Sequence, residues 1–183
     1  MRDIKVASRY AKSLLGIALE QNALESIHQD MMHINQTCNA NRDLTIFLKS
    51  PIIKSDKKLA ILNELFSGIN QISKSFISII VSKKREGILE DIAVAFIDAY
   101  KVHKNIKTVS ITTAIALNES QKKKIADLVN KDNSTIELKE IINPEIIGGM
   151  ILRVGDTQVD ESIKRKLTNL EMEFDDNPYI KEY

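Results

Sequence analysis

The chain is poor in the residues that usually announce chemistry. Its 183 residues include one cysteine, Cys38, so neither an intrachain disulfide nor a multi-cysteine metal site can form, which fits a reducing compartment. Long apolar runs are missing too. The run from Phe76 to Val81 is interrupted by Ser78 and falls far short of the ~20 residues that cross a bilayer. The start, Met1-Arg2-Asp3-Ile4-Lys5, has neither the apolar core of a secretory signal nor the Arg/Ser-rich character of a transit peptide. Membrane association is therefore expected only through a partner. Charge of one sign is also lacking: 26 Lys+Arg against 25 Asp+Glu leave a net +1, with no global pull toward nucleic acid or anionic lipid. The local clusters Lys83-Lys84-Arg85 and Lys122-Lys123-Lys124 read as solvated helix faces.

Enzyme motifs are absent in the same way. No Gly-x-x-x-x-Gly-Lys-Ser/Thr loop is present to cradle phosphate. Gly148-Gly149 precede a strand, whereas a dinucleotide fingerprint needs a strand before and a helix after. His28 and His33 stand about 140° apart on a helix, too far around for one metal. Arg153, Asp156 and Asp160 form the one polar constellation worth testing, but no histidine or metal pattern accompanies them. No catalytic, cofactor-binding or metal-binding residue is assigned.

What is present is periodicity. Residues 4 to 104 read as helices. Ala7, Tyr10, Ala11, Leu14, Leu15 and Ala18 recur at helical spacing, opposite Lys5, Arg9 and Lys12. Leu24, Ile27, Met31, Ile34 and Cys38 alternate steps of three and four, a bundle seam on which Cys38 is a small core residue. A short helix around Leu44, Phe47 and Leu48 ends at Ser50-Pro51. Ser55 is placed to cap the next, with Leu59, Leu62, Leu65 and Phe66 on its apolar side and Gly68 closing it. A fifth runs from about Gln71 to Arg85. After Gly87 a sixth carries Ile88, Leu89, Ile92, Phe96, Ala99 and Tyr100. Short links make this a six-helix antiparallel bundle.

After His103-Lys104-Asn105 the period changes from 3.6 to 2. Val109, Ile111, Thr113, Ile115 and Leu117 alternate with smaller or polar residues, which predicts a strand. Asn118 and Gln121 form a capping box for a helix through Ile125, Leu128 and Val129. Ile136 and Leu138 mark another strand and Asn143-Pro144 a turn. Met150-Ile151-Leu152 predict a third strand, Gly155-Asp156 a tight hairpin between Val154 and Thr157, and Asp160 the N-cap of a helix from Glu161 to Leu170. The tail Asp175-Asp176-Asn177-Pro178 is expected to fray. The fold expected is α+β: a bundle over 1–104, then a small α/β domain over 105–183 with a mixed sheet, a hairpin and two helices.

One helix has more apolar surface than a single core face needs. Ile72, Phe76, Ile79 and the stem of Lys83 form one stripe, and Ile77, Ile80 and Val81 extend it on one side, leaving Ser75, Ser78 and Ser82 for the remainder. The arc covers about 200°, against the ~100° that one core face requires. Either the helix is enclosed by its own bundle, or one stripe meets the core while the other lines a groove for a foreign amphipathic helix.

These residues resemble a family. Gly148-Gly149, Met150 to Leu152, Arg153, Gly155-Asp156 and Asp160-Glu161-Ser162 match the signature of the delta subunit of F-type ATP synthases, relatives of the mitochondrial oligomycin-sensitivity-conferring protein. Glu161 replaces a usual glycine, which a helix start tolerates. Ala7-Ser8-Arg9-Tyr10-Ala11-Lys12-Ser13-Leu14 resembles the family's first helix, and Lys84 to Ile92 its passage between helices five and six.

The resemblance implies a non-catalytic stator subunit without cofactors. Its N-terminal domain would bind the N-terminal amphipathic helix of an alpha subunit between helices one and five; its C-terminal domain would hold the b subunits of the peripheral stalk. Tyr10, Leu14, Phe76, Ile79 and Lys83 are the residues expected in that groove. The implied place is the cytoplasmic face of the cell membrane, peripheral and through the complex. The alternative is a generic two-domain adaptor that binds an amphipathic helix of another partner.

Overall fold

The computed structural model describes residues 4–129 and 135–175, and the chain divides into two compact units, Met1–His103 and Lys104–Tyr183. In the first unit α1 (Ile4–Glu20), α2 (Leu24–Ala40), α3 (Arg42–Lys49), α4 (Ser55–Leu65), α5 (Gln71–Ser82) and α6 (Leu89–His103) follow in turn, with a single 3-10 turn at Glu86–Ile88. α6 lies against both α1 and α2. Small residues explain the close approach on α1, where Ala7, Ala11, Leu14 and Ala18 are buried. On α2 the seam is as its spacing predicts, with Leu24, Ile27, Met31, Ile34 and Cys38 all buried. Burial pushes the Cys38 thiol up to about 11, so it is an inert packing group. Against them α6 sets Leu89, Ile92, Ala93, Phe96 and Tyr100. His28 stacks on the Tyr100 ring at 3.8 Å and His33 meets the edge of Phe66 at 5.7 Å, so the two histidines serve separate aromatic contacts.

Helix ends depart from expectation in four places. Ser55 makes no capping bond: the N-cap of α4 is Lys54, and Ser55 is already the first residue of the helix. Gly68 does not close α4, which stops at Leu65 with Phe66 buried behind it. α5 ends at Ser82 rather than Arg85, and the chain leaves it through a left-handed corner at Lys84, at φ 55°. There the Arg85 N–H donates to Ile80 O at 3.0 Å and the Lys84 N–H to Val81 O at 2.9 Å, the double closure of a Schellman turn. A lysine in this conformation is strained, and Lys84→Gly is expected to raise the urea stability of the first unit by about 0.5–1 kcal/mol. No gain in the unfolding midpoint would contradict that account. The fourth departure, at Asp160, belongs to the second unit and is taken up with the residues around it.

α5 begins on an unanticipated anchor. Asn70 Oδ1 accepts the Ile72 N–H at 2.9 Å, while Asp30 of α2 accepts both the Asn70 N–H (3.0 Å) and the buried Ser73 hydroxyl (2.6 Å). This fixes the rotation of α5 about its own axis. Phe76, Ile77, Ile80 and Val81 turn inward, and Ile79 is left 52% exposed.

The second unit is a four-stranded mixed sheet of order β2-β1-β3-β4, built from β1 (Ile106–Thr113), β2 (Thr135–Ile142), β3 (Met150–Val154) and β4 (Thr157–Asp160). β1 and β2 are parallel, so the chain must cross over between them, and α7 (Glu119–Val129) lies on that path. β1 starts and ends earlier than its alternation suggests. Beyond Thr113 the chain turns, the Thr113 hydroxyl donating to Ile115 O at 2.8 Å, and Ile115 is exposed. The capping box forms as read: Asn118 Oδ1 accepts the Gln121 N–H and Gln121 Oε1 the Asn118 N–H, both at 2.9 Å. Val109, Ile111 and Ile125 make the core, with Leu117, Ile136, Leu138, Met150, Leu152 and Val154 packed around it. Leu128 and Val129 side chains and the tail from residue 176 lie outside the described residues.

α8 (Ile163–Asp175) closes the described chain. Ile163, Leu167, Leu170 and Phe174 recur along one stripe, and all four are exposed. Its charges run against the helix dipole: Lys164, Arg165 and Lys166 come first, Glu171, Glu173 and Asp175 last.

Candidate functional site

A groove between α1 and α5 is the leading site. Leu14 and Ile17 from α1, with Gln21 just past its end, face Gln71, Ile72, Ser75, Phe76 and Ile79 from α5 across a hollow of about 330 Å³. Its floor is core: Leu14 and Phe76 are buried. Its walls are open, since Ile17 and Ile79 are substantially exposed. The groove exists because α1 commits its alanine edge to α6, and α5 is rotated by the Asp30 anchor so that Ile72 and Ile79 are left over.

Three of the five residues expected in the groove, Leu14, Phe76 and Ile79, line this hollow together. Tyr10 sits one step along α1, half-buried, its ring meeting Phe76 edge-on at 6.3 Å. It lines a second hollow of about 260 Å³ with Val6, Arg9, Ser13 and Arg85. Lys83, the exposed C-cap of α5, lines neither. Ile17, Gln21, Gln71 and Ser75 were not anticipated. Ile17 had a signal, since 10, 14 and 17 fall on one helical stripe.

A larger hollow of about 910 Å³ between the α3–α4 turn and Glu86–Ile88 is of a different kind. Its lining mixes Lys49, Lys54 and Lys84 with Asp56 and Asp91 around the buried Lys58–Glu86 pair. It shares none of the groove's apolar floor.

The polar constellation of the second unit resolves into backbone work. Gly155, at φ 57°, and Asp156 turn the hairpin between Val154 and Thr157. Arg153 Nε donates to Gly155 O at 3.3 Å. Asp160 is not the helix cap. Its carboxylate accepts the Ser162 N–H at 2.9 Å, and hydrogen bonds from Ser162 hold its pKa below the ordinary aspartate range. Ser162, which is buried, caps α8 by accepting the Arg165 N–H at 3.2 Å. The helix starts late because the Glu161 N–H is already given to Met150 O at 3.0 Å. Among the described residues no group of three or more His, Cys, Asp or Glu side chains is placed to hold a metal. Among the described residues no helix is long and apolar enough to cross a membrane.

Comparison with known proteins gives one consistent answer. The family described as ATP synthase delta (OSCP) subunit matches residues 6–174. The ATP synthase subunit delta of Christiangramia forsetii is 38% identical over 181 residues, covering 98% of both chains. That of Cytophaga hutchinsonii is 35% identical, covering 95% of this chain and 96% of the relative. Among solved structures, a chain of the Toxoplasma gondii mitochondrial ATP synthase hexamer superposes with a TM-score of 0.70. It covers 92% of this chain and 96% of its own length at 22% identity, a likeness of fold. A general adaptor would not share its whole length with such subunits. The chain belongs to the ATP synthase delta (OSCP) subunit family, and it is a non-catalytic subunit of the stator that joins the catalytic head to the peripheral stalk.

Proposed function

We propose that the groove between α1 and α5 receives the N-terminal amphipathic helix of an alpha subunit of the catalytic head, and that the second unit holds the b subunits of the peripheral stalk. On this reading the six helices of the first unit are an antiparallel bundle that presents the groove. The subunit works at the cytoplasmic face of the cell membrane, reached only through the complex.

The observation that carries the reading is the apolar hollow with Ile79 half out of the core at its edge. Three or four apolar anchors from a docking helix would each contribute ~1.5–3 kcal/mol, less the cost of ordering the complex. The exposed stripe of α8 supports the second contact: its dipole-opposed charges make it a helix in want of a neighbour. Two modest contacts within one assembly raise each other's effective concentration, so the clamp needs no single large interface. Its mechanical role is to keep the head still while the rotor turns.

Titrating the full chain with a peptide from the N-terminus of the cognate alpha subunit tests the groove; absence of binding would sink it. Ile79→Asp is expected to weaken that binding about 30-fold, ~2 kcal/mol, by placing a charge where an apolar anchor must seat. Stability should change by no more than about 0.5 kcal/mol, since the side chain is half exposed. Unchanged binding by the folded variant would move the site elsewhere.

A further inference from the structure

The two helices that flank the groove carry charge mostly of one sign. Along α1 lie Lys5, Arg9 and Lys12, and its one carboxylate, Glu20, is its last residue, beside Gln21 and away from the Tyr10 end. From Gln71 to Arg85, α5 and its exit turn carry Lys74, Lys83, Lys84 and Arg85, with no carboxylate. Glu86, the acid that follows Arg85, is buried and bonded to Lys58 at 2.7 Å, so it cannot neutralise the exit turn.

The positive charge is also unevenly placed along the groove. At one end the hollow beside Tyr10 is lined by Arg9 and Arg85. The Arg85 guanidinium stands 5.7 Å from the centroid of the Tyr10 ring, and that ring touches Phe76 of the apolar hollow. The Schellman turn fixes the backbone at Arg85 through its bond to Ile80 O. Neither arginine has an ion-pair partner among the described residues. At the other end the groove is closed by two neutral amides, Gln21 and Gln71.

We infer that the groove takes an acidic amphipathic helix and sets its register: carboxylates of the helix meet Arg9 and Arg85 at the Tyr10 end while its apolar side chains fill the hollow beyond. This rests on reading the groove as a helix receiver and adds which helices it accepts and how they lie. An arginine already propped on an aromatic ring loses little freedom on pairing, and a docked helix would shield the pair from water and salt. A carboxylate placed at the glutamine end finds no such partner, and a basic side chain placed at the Tyr10 end is repelled by Arg9 and Arg85.

The test uses the full chain and two probes. One is a peptide of roughly 20 residues from the cognate alpha-subunit N-terminus, and the other is the same peptide with every Asp and Glu changed to its amide. The acidic peptide is expected to bind about tenfold more tightly than the amidated one, a gap that closes as salt rises from about 50 to 500 mM. Arg85→Glu and, separately, Arg9→Glu should each weaken the acidic peptide about tenfold, whereas Gln71→Glu at the far end should change it by about twofold or less. Circular dichroism checks that each variant is folded. Equal binding of the two peptides, or equal effects at Arg85 and Gln71, overturns the inference and leaves the groove standing. An alpha-subunit segment without carboxylates that binds as tightly overturns it too. If neither peptide binds, the groove and the inference fall together.

Discussion

Alanine at position 149 is expected to unfold the second unit while residues 4–103 keep their structure. Gly149 sits at φ +76°, and a Cβ there would lie 2.2 Å from the carbonyl oxygen of Glu161 and 3.2 Å from the Cα of Ser162. These are backbone atoms tied in place on both sides. The Glu161 N–H is bonded to Met150 O and the Ile163 N–H to Gly148 O, each at 3.0 Å. No rotamer change relieves the overlap. The left-handed conformation adds about 1–2 kcal/mol and forced backbone displacement about 1–3 kcal/mol, so ~2–5 kcal/mol in all. A unit of this size has little more than that to lose. Gly155→Ala is the control. Gly155 also has a positive φ, 57°, but a Cβ there would meet nothing within 4 Å, so the cost should be about 1 kcal/mol. Urea unfolding followed by circular dichroism, with hydrogen exchange to assign each transition, separates the two. Equal losses for both variants would mean that the close approach is not rigid.

Lys58→Met should cost the first unit about 3–5 kcal/mol, the penalty for stranding a buried charge. Lys58 spends all three ammonium donors, on Leu48 O, Ser50 O and Glu86 Oε1, each at 2.7 Å. Its side chain is 3% exposed and that of Glu86 8%. Without the lysine, Glu86 keeps a buried carboxylate whose second oxygen, Oε2, already has no partner, and two carbonyls lose their donor. Adding Glu86→Leu removes the stranded charge, so the double variant should recover most of the loss. A double variant as unstable as the single one would show that the two carbonyl bonds, rather than the carboxylate, dominate.

Much of this architecture is legible in the residues because it rests on period. The α2 seam from Leu24 to Cys38 names its own buried side, and the change of period near residue 105 marks where helices give way to a sheet. The Asn118–Gln121 box is local, so two side chains and two amides settle it. What stayed hidden depends on distant parts of the chain. Asp160 looks like a helix cap until Met150 takes the Glu161 N–H and pushes the cap to Ser162. The left-handed corner at Lys84 carries no glycine to announce it. Which stripe of α5 faces outward depends on Asp30, forty residues upstream of Asn70. The Lys58–Glu86 pair spans 28 residues and leaves no local pattern. Arg85, read as part of a solvated cluster, gains its place at the groove only because Tyr10 lies beneath it.

α1 carries two obligations on different edges. Its alanines pack in the bundle core, and Tyr10, Leu14 and Ile17 line the adjoining edge, with only Leu14 belonging to both. With a helix docked as proposed, substitutions along the outer edge would alter the partner contact without touching the alanines that hold α1 in position. One seventeen-residue helix thus keeps the residues that place it apart from those that would face a partner.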